Sequence, residues 1–339
     1  MKAVRFHDYG TPDVLKYEDV PRPILEKGDA LIKVIHCGTN RFDTRIRFGS
    51  FKTYVPHILG TDVVGEVVEL ASESRDLKVG DRVVAYHIMN DENCLHCLSG
   101  RQNICNHSHM LGAYLDGGYA EFMKIRASNL LKIDELHSEI AACLPMNFGV
   151  AWNGLVSKAN MNGTEIVLVW GASSGVGSAA IKIAKLLGAT VISTASSPEK
   201  LDHAKKLGSD YVINHRTEDV SAMVMSLTNN RGADIAFDHI GQGTWSKSID
   251  SLSKGGTLVV LGVTGGSKAE AEVGKVYHKE LTIRGVYGCS KGDLKKVISL
   301  SQEGKISPVI DKELPLERAR EAHEIIESGN KFGKILLKP

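Results

Sequence analysis

Cysteine is scarce in this chain, six in 339 residues. A disulfide framework is therefore excluded as the source of stability, and a chain this long must rest on a buried apolar core. A charge excess is missing too: 41 Lys and Arg face 40 Asp and Glu, for a net charge of +1. That balance argues against a nucleic-acid partner and gives no attraction to an anionic membrane. No apolar run reads as long enough to span a membrane, and the N-terminus Met1-Lys2-Ala3-Val4-Arg5-Phe6 has no signal-peptide core, so a cytoplasmic protein is expected. In that compartment the sequons at Asn106 and Asn162 carry no glycan. There is no internal repeat, low-complexity tract or Pro- or Ser-rich linker.

What is present is a strand, a glycine turn and a helix in succession. The apolar run Ile166-Val167-Leu168-Val169 leads into Trp170-Gly171-Ala172-Ser173-Ser174-Gly175-Val176-Gly177, and an amphipathic stretch, Ala179 to Leu187, follows. Such a turn lets backbone approach a pyrophosphate and aims the positive end of a helix at it. A lone glycine turn is weak evidence, but its context is complete. Thr190 to Thr194 closes a βαβ unit, and the pattern repeats. A helix is expected from Pro198 to Leu207, a strand at Tyr211–Ile213, a helix from Glu218 to Leu227 and a strand at Ala233–Phe237. A helix from Trp245 to Leu252 and a strand at Thr257–Gly262 complete it. This alternation specifies an α/β fold with a doubly wound parallel sheet and a dinucleotide site on Gly171, Ala172, Ser173, Ser174, Gly175, Val176 and Gly177.

An NAD site usually ends its second strand on Asp or Glu, which binds the ribose hydroxyls and repels a 2′-phosphate. Here the strand runs out into Thr194-Ala195-Ser196-Ser197-Pro198-Glu199-Lys200, with no acid at the tip. Ser196 and Lys200 can bind a phosphate, and His215 and Arg216 follow the third strand toward the same adenosine end. NADPH is expected over NADH.

The first 147 residues read differently. Short apolar segments (Ala30–Ile35, Val63–Val68, Arg82–Tyr86) alternate with Gly and Pro turns, a compact β-barrel pattern. The nucleotide domain is expected from Phe148 to residue 285. A tail, 286–339, should carry helices at Asp293–Glu303 and Leu316–Ser328 and a strand at Gly333–Leu337, and return to the first domain, leaving the active site in the cleft between domains. Val79-Gly80-Asp81-Arg82-Val83, Gly117-Gly118-Tyr119-Ala120-Glu121, the glycine turn and Gly333-Lys334-Ile335-Leu336 resemble the medium-chain dehydrogenase/reductase superfamily, which includes zinc alcohol dehydrogenases and quinone oxidoreductases. The resemblance covers essentially the whole chain. It implies a GroES-like barrel, a Rossmann domain, hydride transfer from a nicotinamide and a homodimer or homotetramer.

Catalytic zinc separates those branches. Against the zinc pattern, Asn40 stands for the first cysteine, Thr61 for the histidine, Asp62 for the following Glu and Met146 for the third ligand, and Phe42 replaces the proton-relay hydroxyl. Amide, hydroxyl and thioether make a poor zinc shell. Gly38-x-Asn40-x-x-Asp43 is instead similar to the zinc-independent quinone oxidoreductases, and Cys37 reads as a buried strand cysteine. A second metal site is expected at Asp91-x-x-Cys94-x-x-Cys97-x7-Cys105, which has the spacing of the superfamily's structural zinc lobe with Asp91 in a cysteine position. Alternatives remain at this lobe: reduced thiols in a loop, or His96, His107 or His109 in place of Asp91. A redox role is disfavoured, since no helix is expected to open at Cys94.

Without a Lewis acid, the barrier must fall through positioning and hydrogen bonds to a developing oxyanion. Asn40, Thr61 and Asn147 are the candidate catalytic groups, with Arg41 directed at the cofactor pyrophosphate. The expected activity is NADPH-dependent reduction of a small-molecule quinone or activated alkene, including an enoyl thioester. Two alternatives stand beside it: an alcohol or aldehyde dehydrogenase with a degenerate metal site, and an NADPH-binding protein without turnover, of the zeta-crystallin type.

Overall fold

The computed structural model describes all 339 residues, which form two compact units: Met1–Met146 together with Ser290–Pro339, and Asn147–Cys289. Strands are numbered β1–β18 in chain order.

In the first unit, β1 (Lys2–Phe6) pairs with β2 (Leu15–Asp19) and with β4 (His57–Ile58). The long β3 (Asp29–Thr39) lies beside β5 (Asp62–Leu70), which in turn pairs with β6 (Arg82–Ala85). Valines and isoleucines populate these strands because β-branched side chains suit the pleated, half-buried surface. β7 (Ile88–Met89) and β8 (His109–Met110) form a small ribbon, while β9 (Phe122–Arg126) pairs with β3 and β10 (Leu130–Lys132) with β6.

The second unit is a six-stranded, all-parallel sheet in the order β13-β12-β11-β14-β15-β16. Its strands are β11 (Ile166–Val169), β12 (Thr190–Ala195), β13 (Tyr211–Asn214), β14 (Ala233–Asp238), β15 (Leu252–Val260) and β16 (Thr282–Gly285). This is the doubly wound sheet expected from the sequence. Leu168, Ile192, Ile213, Ala236 and Leu258 from five of the strands meet Val220, Val224 and Ile249 from the covering helices. Trp170 is buried there because its indole N–H donates to Ser248 Oγ at 2.8 Å, and Ser248 in turn donates to Asp238. The chain then returns to the first unit, where β17 (Ile310–Pro315) pairs with β18 (Lys334–Lys338) and β18 runs antiparallel to β3.

Three expectations need correction. The helix expected over Leu316–Ser328 opens as a 3-10 turn, Leu316–Arg318, before the α-helix Ala319–Ser328. β15 starts at Leu252, because Lys254-Gly255-Gly256, which reads as a turn, is carried within the strand, with Lys254 and Gly255 exposed and Gly256 buried. The helical stretch Ser138–Lys158 is long and apolar enough to cross a membrane by length and composition, contrary to the reading that no run reaches that length; Pro145 and Asn147 break its apolar text. Within the fold, 72% of its apolar window is buried, as in a core helix. The helix Val273–His278 and the strand β16 went unread, since both are short and largely exposed and show no periodicity.

Candidate active site and metal lobe

The glycine turn leaves β11 and enters the helix Gly175–Leu186. Ser174 caps that helix, its Oγ accepting from Gly177 N at 2.9 Å. Gly177 has no room for a side chain, as a Cβ there would lie 2.3 Å from the Gly171 carbonyl oxygen. Gly171, Ser173, Ser174, Gly175 and Val176 are partly exposed, whereas Ala172 is buried and donates its N–H to the Thr194 carbonyl at 2.9 Å. The turn thus offers backbone and a helix N-terminus to an anion. Asn147 lies against it, its amide 2.5 Å from where a Cβ on Gly175 would sit. His239 completes the wall, with Nε2 3.1 Å from Ser174 Oγ; nothing in its sequence neighbourhood pointed to it.

Beyond the turn, β12 and β13 end side by side, with Ala195 opposite Asn214 and His215 N donating to the Ala195 carbonyl at 3.1 Å. That pairing brings half-buried Ser196 and His215 to one sheet edge with Arg216. Burial lowers the pKa of Lys200, and the Arg216 charge adds to the effect. His215 is lowered by burial first, then by the charges of Arg216, Lys247 and Lys200. Like charges gathered this way favour an anion. Lys247, from the helix Trp245–Ser251, was not foreseen, because it lies far along the chain.

The first unit holds Asn40 and Thr61 together. Asn40 follows β3 as the N-cap residue of the helix Arg41–Arg47; its Nδ2 donates to Thr61 Oγ1 at 3.1 Å and to Asp62 Oδ2 at 3.0 Å. Lys334 of β18 donates from Nζ to Asn40 Oδ1 at 2.6 Å and forms an ion pair with Asp62. Both partners are buried, Lys334 at 2% exposure and Asp62 at 0%. Met146 N also donates to Asp62, at 2.9 Å. The amide of Asn40 is thus engaged at every hydrogen-bonding position, by Thr61, Asp62 and Lys334. Thr61 accepts from Asn40 and keeps its own proton to give. Lys334 was the residue missed: it appeared only as part of the closing signature, and the available signal was a lysine heading an apolar strand.

A zinc ion does not fit here. The ligand positions carry an amide, a hydroxyl and a thioether, and the Lys334 ammonium already supplies the positive charge between Asn40 and Asp62. Arg41 donates to the Ile326 carbonyl at 2.7 Å and belongs to the first unit, whereas the glycine turn and Asn147 belong to the second. Cys37 is fully buried in β3, where burial raises its thiol pKa well above normal.

The lobe after β7 does fit a metal. One ligand atom from each of Asp91, Cys94, Cys97 and Cys105 lies within 4.8 Å of the others, a set that can enclose a tetrahedral zinc with no open position. Asp91 Oδ1 accepts from the amides of Asn93 and Cys94, each at 3.0 Å, which fixes the carboxylate. His96, His107 and His109 are not in this group. Cys94 does cap a single helical turn, Leu95–Leu98, contrary to the expectation that no helix opens there.

A family model described as alcohol dehydrogenase GroES-like domain matches residues 26–135, and one described as zinc-binding dehydrogenase matches residues 175–303. The acryloyl-coenzyme A reductase of Sulfurisphaera tokodaii is 32% identical over 327 residues, 96% of each chain. The chain belongs to the medium-chain dehydrogenase/reductase superfamily. The quinone oxidoreductase of Homo sapiens is 30% identical, covering 99% of this chain and 97% of the relative. The crystal structure of an NAD-dependent alcohol dehydrogenase superposes with a TM-score of 0.94 at 34% identity over the full length of both chains. Membership brings a GroES-like and Rossmann fold, a nicotinamide cofactor and NAD(P)-dependent oxidoreduction of a small molecule.

Proposed function

We propose that this protein reduces quinones or conjugated alkenes, including enoyl thioesters, with NADPH and without a catalytic metal. The observation that carries the reading is the Lys334 ammonium seated between Asn40 and Asp62, where a metal-dependent dehydrogenase needs its ion. Reduction of a conjugated acceptor needs less electrophilic help than alcohol oxidation, because conjugation spreads the incoming negative charge. Bound NADPH supplies a hydride. Thr61 offers a hydroxyl proton held in place by Asn40, and Asn147 stands beside the turn to orient what binds there. The cations Lys200, Arg216 and Lys247 gathered around the His215 imidazole support NADPH over NADH. Two similar proteins carry compatible names, an acryloyl-coenzyme A reductase and a quinone oxidoreductase. The Asp91, Cys94, Cys97 and Cys105 lobe is assigned one structural zinc. Assembly as a dimer or tetramer is assigned to the exposed sheet edge at β16, which light scattering on a Thr282→Pro variant would test.

A dehydrogenase reading has its own support, since a similar structure is an NAD-dependent alcohol dehydrogenase. Turnover assays separate the two. Purified protein is offered NADPH or NADH with benzoquinone, a simple enone, an enoyl thioester and an aldehyde, and NADP⁺ or NAD⁺ with ethanol. Reduction of a quinone or alkene with negligible ethanol oxidation is expected. Rapid ethanol oxidation with no activity on any quinone or alkene would establish the dehydrogenase.

A further inference from the structure

The imidazole of His87 is completely buried, and neither ring nitrogen has a hydrogen-bond partner. Its backbone is held firmly on both sides. Tyr86 N donates to the Asn129 carbonyl at 2.7 Å, Leu111 N to the His87 carbonyl at 2.9 Å, and Asn129 Nδ2 to the carbonyls of Tyr86 at 3.0 Å and Ile88 at 2.9 Å. A fixed ring with unmet nitrogens in a core is costly, and such groups call for a functional explanation.

Its position supplies one. β5 and β6 are antiparallel, with Val64 opposite Val84 and Gly65 opposite Val83, and continuing that register sets His87 across from Thr61. A second connection agrees: Leu111 bonds to His87, and the next residue, Gly112, packs on Gly60 so closely that a Cβ there would lie 2.9 Å from the Gly60 backbone. Burial lowers its pKa to about 4; the Asp62 charge opposes that fall and the Lys334 charge adds to it, so both reach the ring. The imidazole is therefore neutral near pH 7, with one N–H to donate and no need of a charge. In the same cluster, Asn40 Nδ2 is taken by Thr61 and Asp62, and Lys334 by Asn40 and Asp62.

We propose that His87 is the catalytic hydrogen-bond donor to the substrate's carbonyl oxygen, with the Thr61 hydroxyl as its companion. This rests on the reductase reading above. Hydride from NADPH forms the new C–H bond at the β-carbon; the alkene π pair moves to join the α-carbon and the carbonyl carbon, and the carbonyl π pair moves onto oxygen. His87 N–H holds that oxyanion without giving up its proton. Water then protonates the α-carbon as the carbonyl re-forms, so one hydride and one proton are added across the double bond. Side chains covering the ring must move aside for the carbonyl to reach it.

The test compares parent, His87→Phe and His87→Gln on a simple enone with NADPH, together with thermal melts. His87→Phe replaces an unsatisfied ring with an apolar one of similar size. It should melt at or above the parent temperature while kcat/KM falls about 10²-fold, mostly in kcat. His87→Gln keeps an N–H and should recover part of that loss. Should the phenylalanine variant not fold, His87→Leu, smaller and equally without a donor, takes its place. Parental kcat/KM in a folded donor-less variant, or a glutamine variant no better than that variant, would overturn the role of His87 while leaving the reductase reading intact. A parent with no turnover on any quinone or alkene would overturn the reductase reading itself, and this role with it.

Discussion

Replacing Lys334 with methionine removes the one ammonium that faces Asp62 while preserving most of the side-chain volume. Asp62 then remains fully buried with only two donors, Asn40 Nδ2 at 3.0 Å and Met146 N at 2.9 Å. Stripping one partner from a buried ion pair costs about 3–5 kcal/mol, because the charge left behind has neither water nor counter-ion. For a protein of this size, with an unfolding entropy of roughly 0.7 kcal/mol/K, that corresponds to a drop in Tm of ~4–7 °C. Removing both charges is different. Lys334→Met/Asp62→Asn leaves no uncompensated ion and should regain most of the loss, giving a coupling of about 2 kcal/mol in a double-mutant cycle. Thermal and urea melts of the parent, both single variants and the double variant measure it. A Lys334→Met protein that melts with the parent, or strictly additive single losses, would refute the buried pair as the organiser of this cluster.

Lys200→Ala should narrow the preference for NADPH over NADH by about ten-fold, the value of one charge-assisted bond to a phosphate; equal dissociation constants in the parent would refute a 2′-phosphate site on these cations. Metal analysis should find no more than one zinc per chain, and a chelator should lower Tm, since metal affinity in a closed site is partly folding free energy; chelation that abolished turnover without moving Tm would make the metal catalytic. His323 is buried beside Tyr119 and Arg47, and its pKa is lowered to about 3, by burial first and the Arg47 charge second. Its folded pKa lies below its unfolded one, so the unfolded chain binds the extra proton, and this contribution, complete above about pH 6.5, falls by up to about 1.4 kcal/mol per unit as pH drops toward 3. Asp43, raised to about 7 by burial, has the opposite sign, its contribution being complete below about pH 4 and lost as pH rises through 7. The slope is therefore read as the difference between parent and His323→Phe, and identical acid profiles would rule out His323 as a contributor.

The sequence by itself determined the α/β class, the parallel sheet and the glycine turn. Each rests on short-range rules: apolar runs between turns make buried strands, a helix begins where a hydroxyl caps it, and Gly177 is required where backbone meets backbone. The ligand spacing of Asp91, Cys94, Cys97 and Cys105 is equally local and could be read directly, and the structure draws the four together. What the tertiary structure decided is who faces whom at the centre of the first unit. Lys334 reaches Asn40 only because the last strand returns to pair with β3, so a residue almost three hundred positions away takes the amide oxygen. The same holds for Lys247 near His215 and for His87 within reach of the Asp62 and Lys334 charges, proximities set by the fold and not by chain spacing. Buried electrostatics depends on distance in space and on the absence of water, and neither is written in the spacing of residues along a chain.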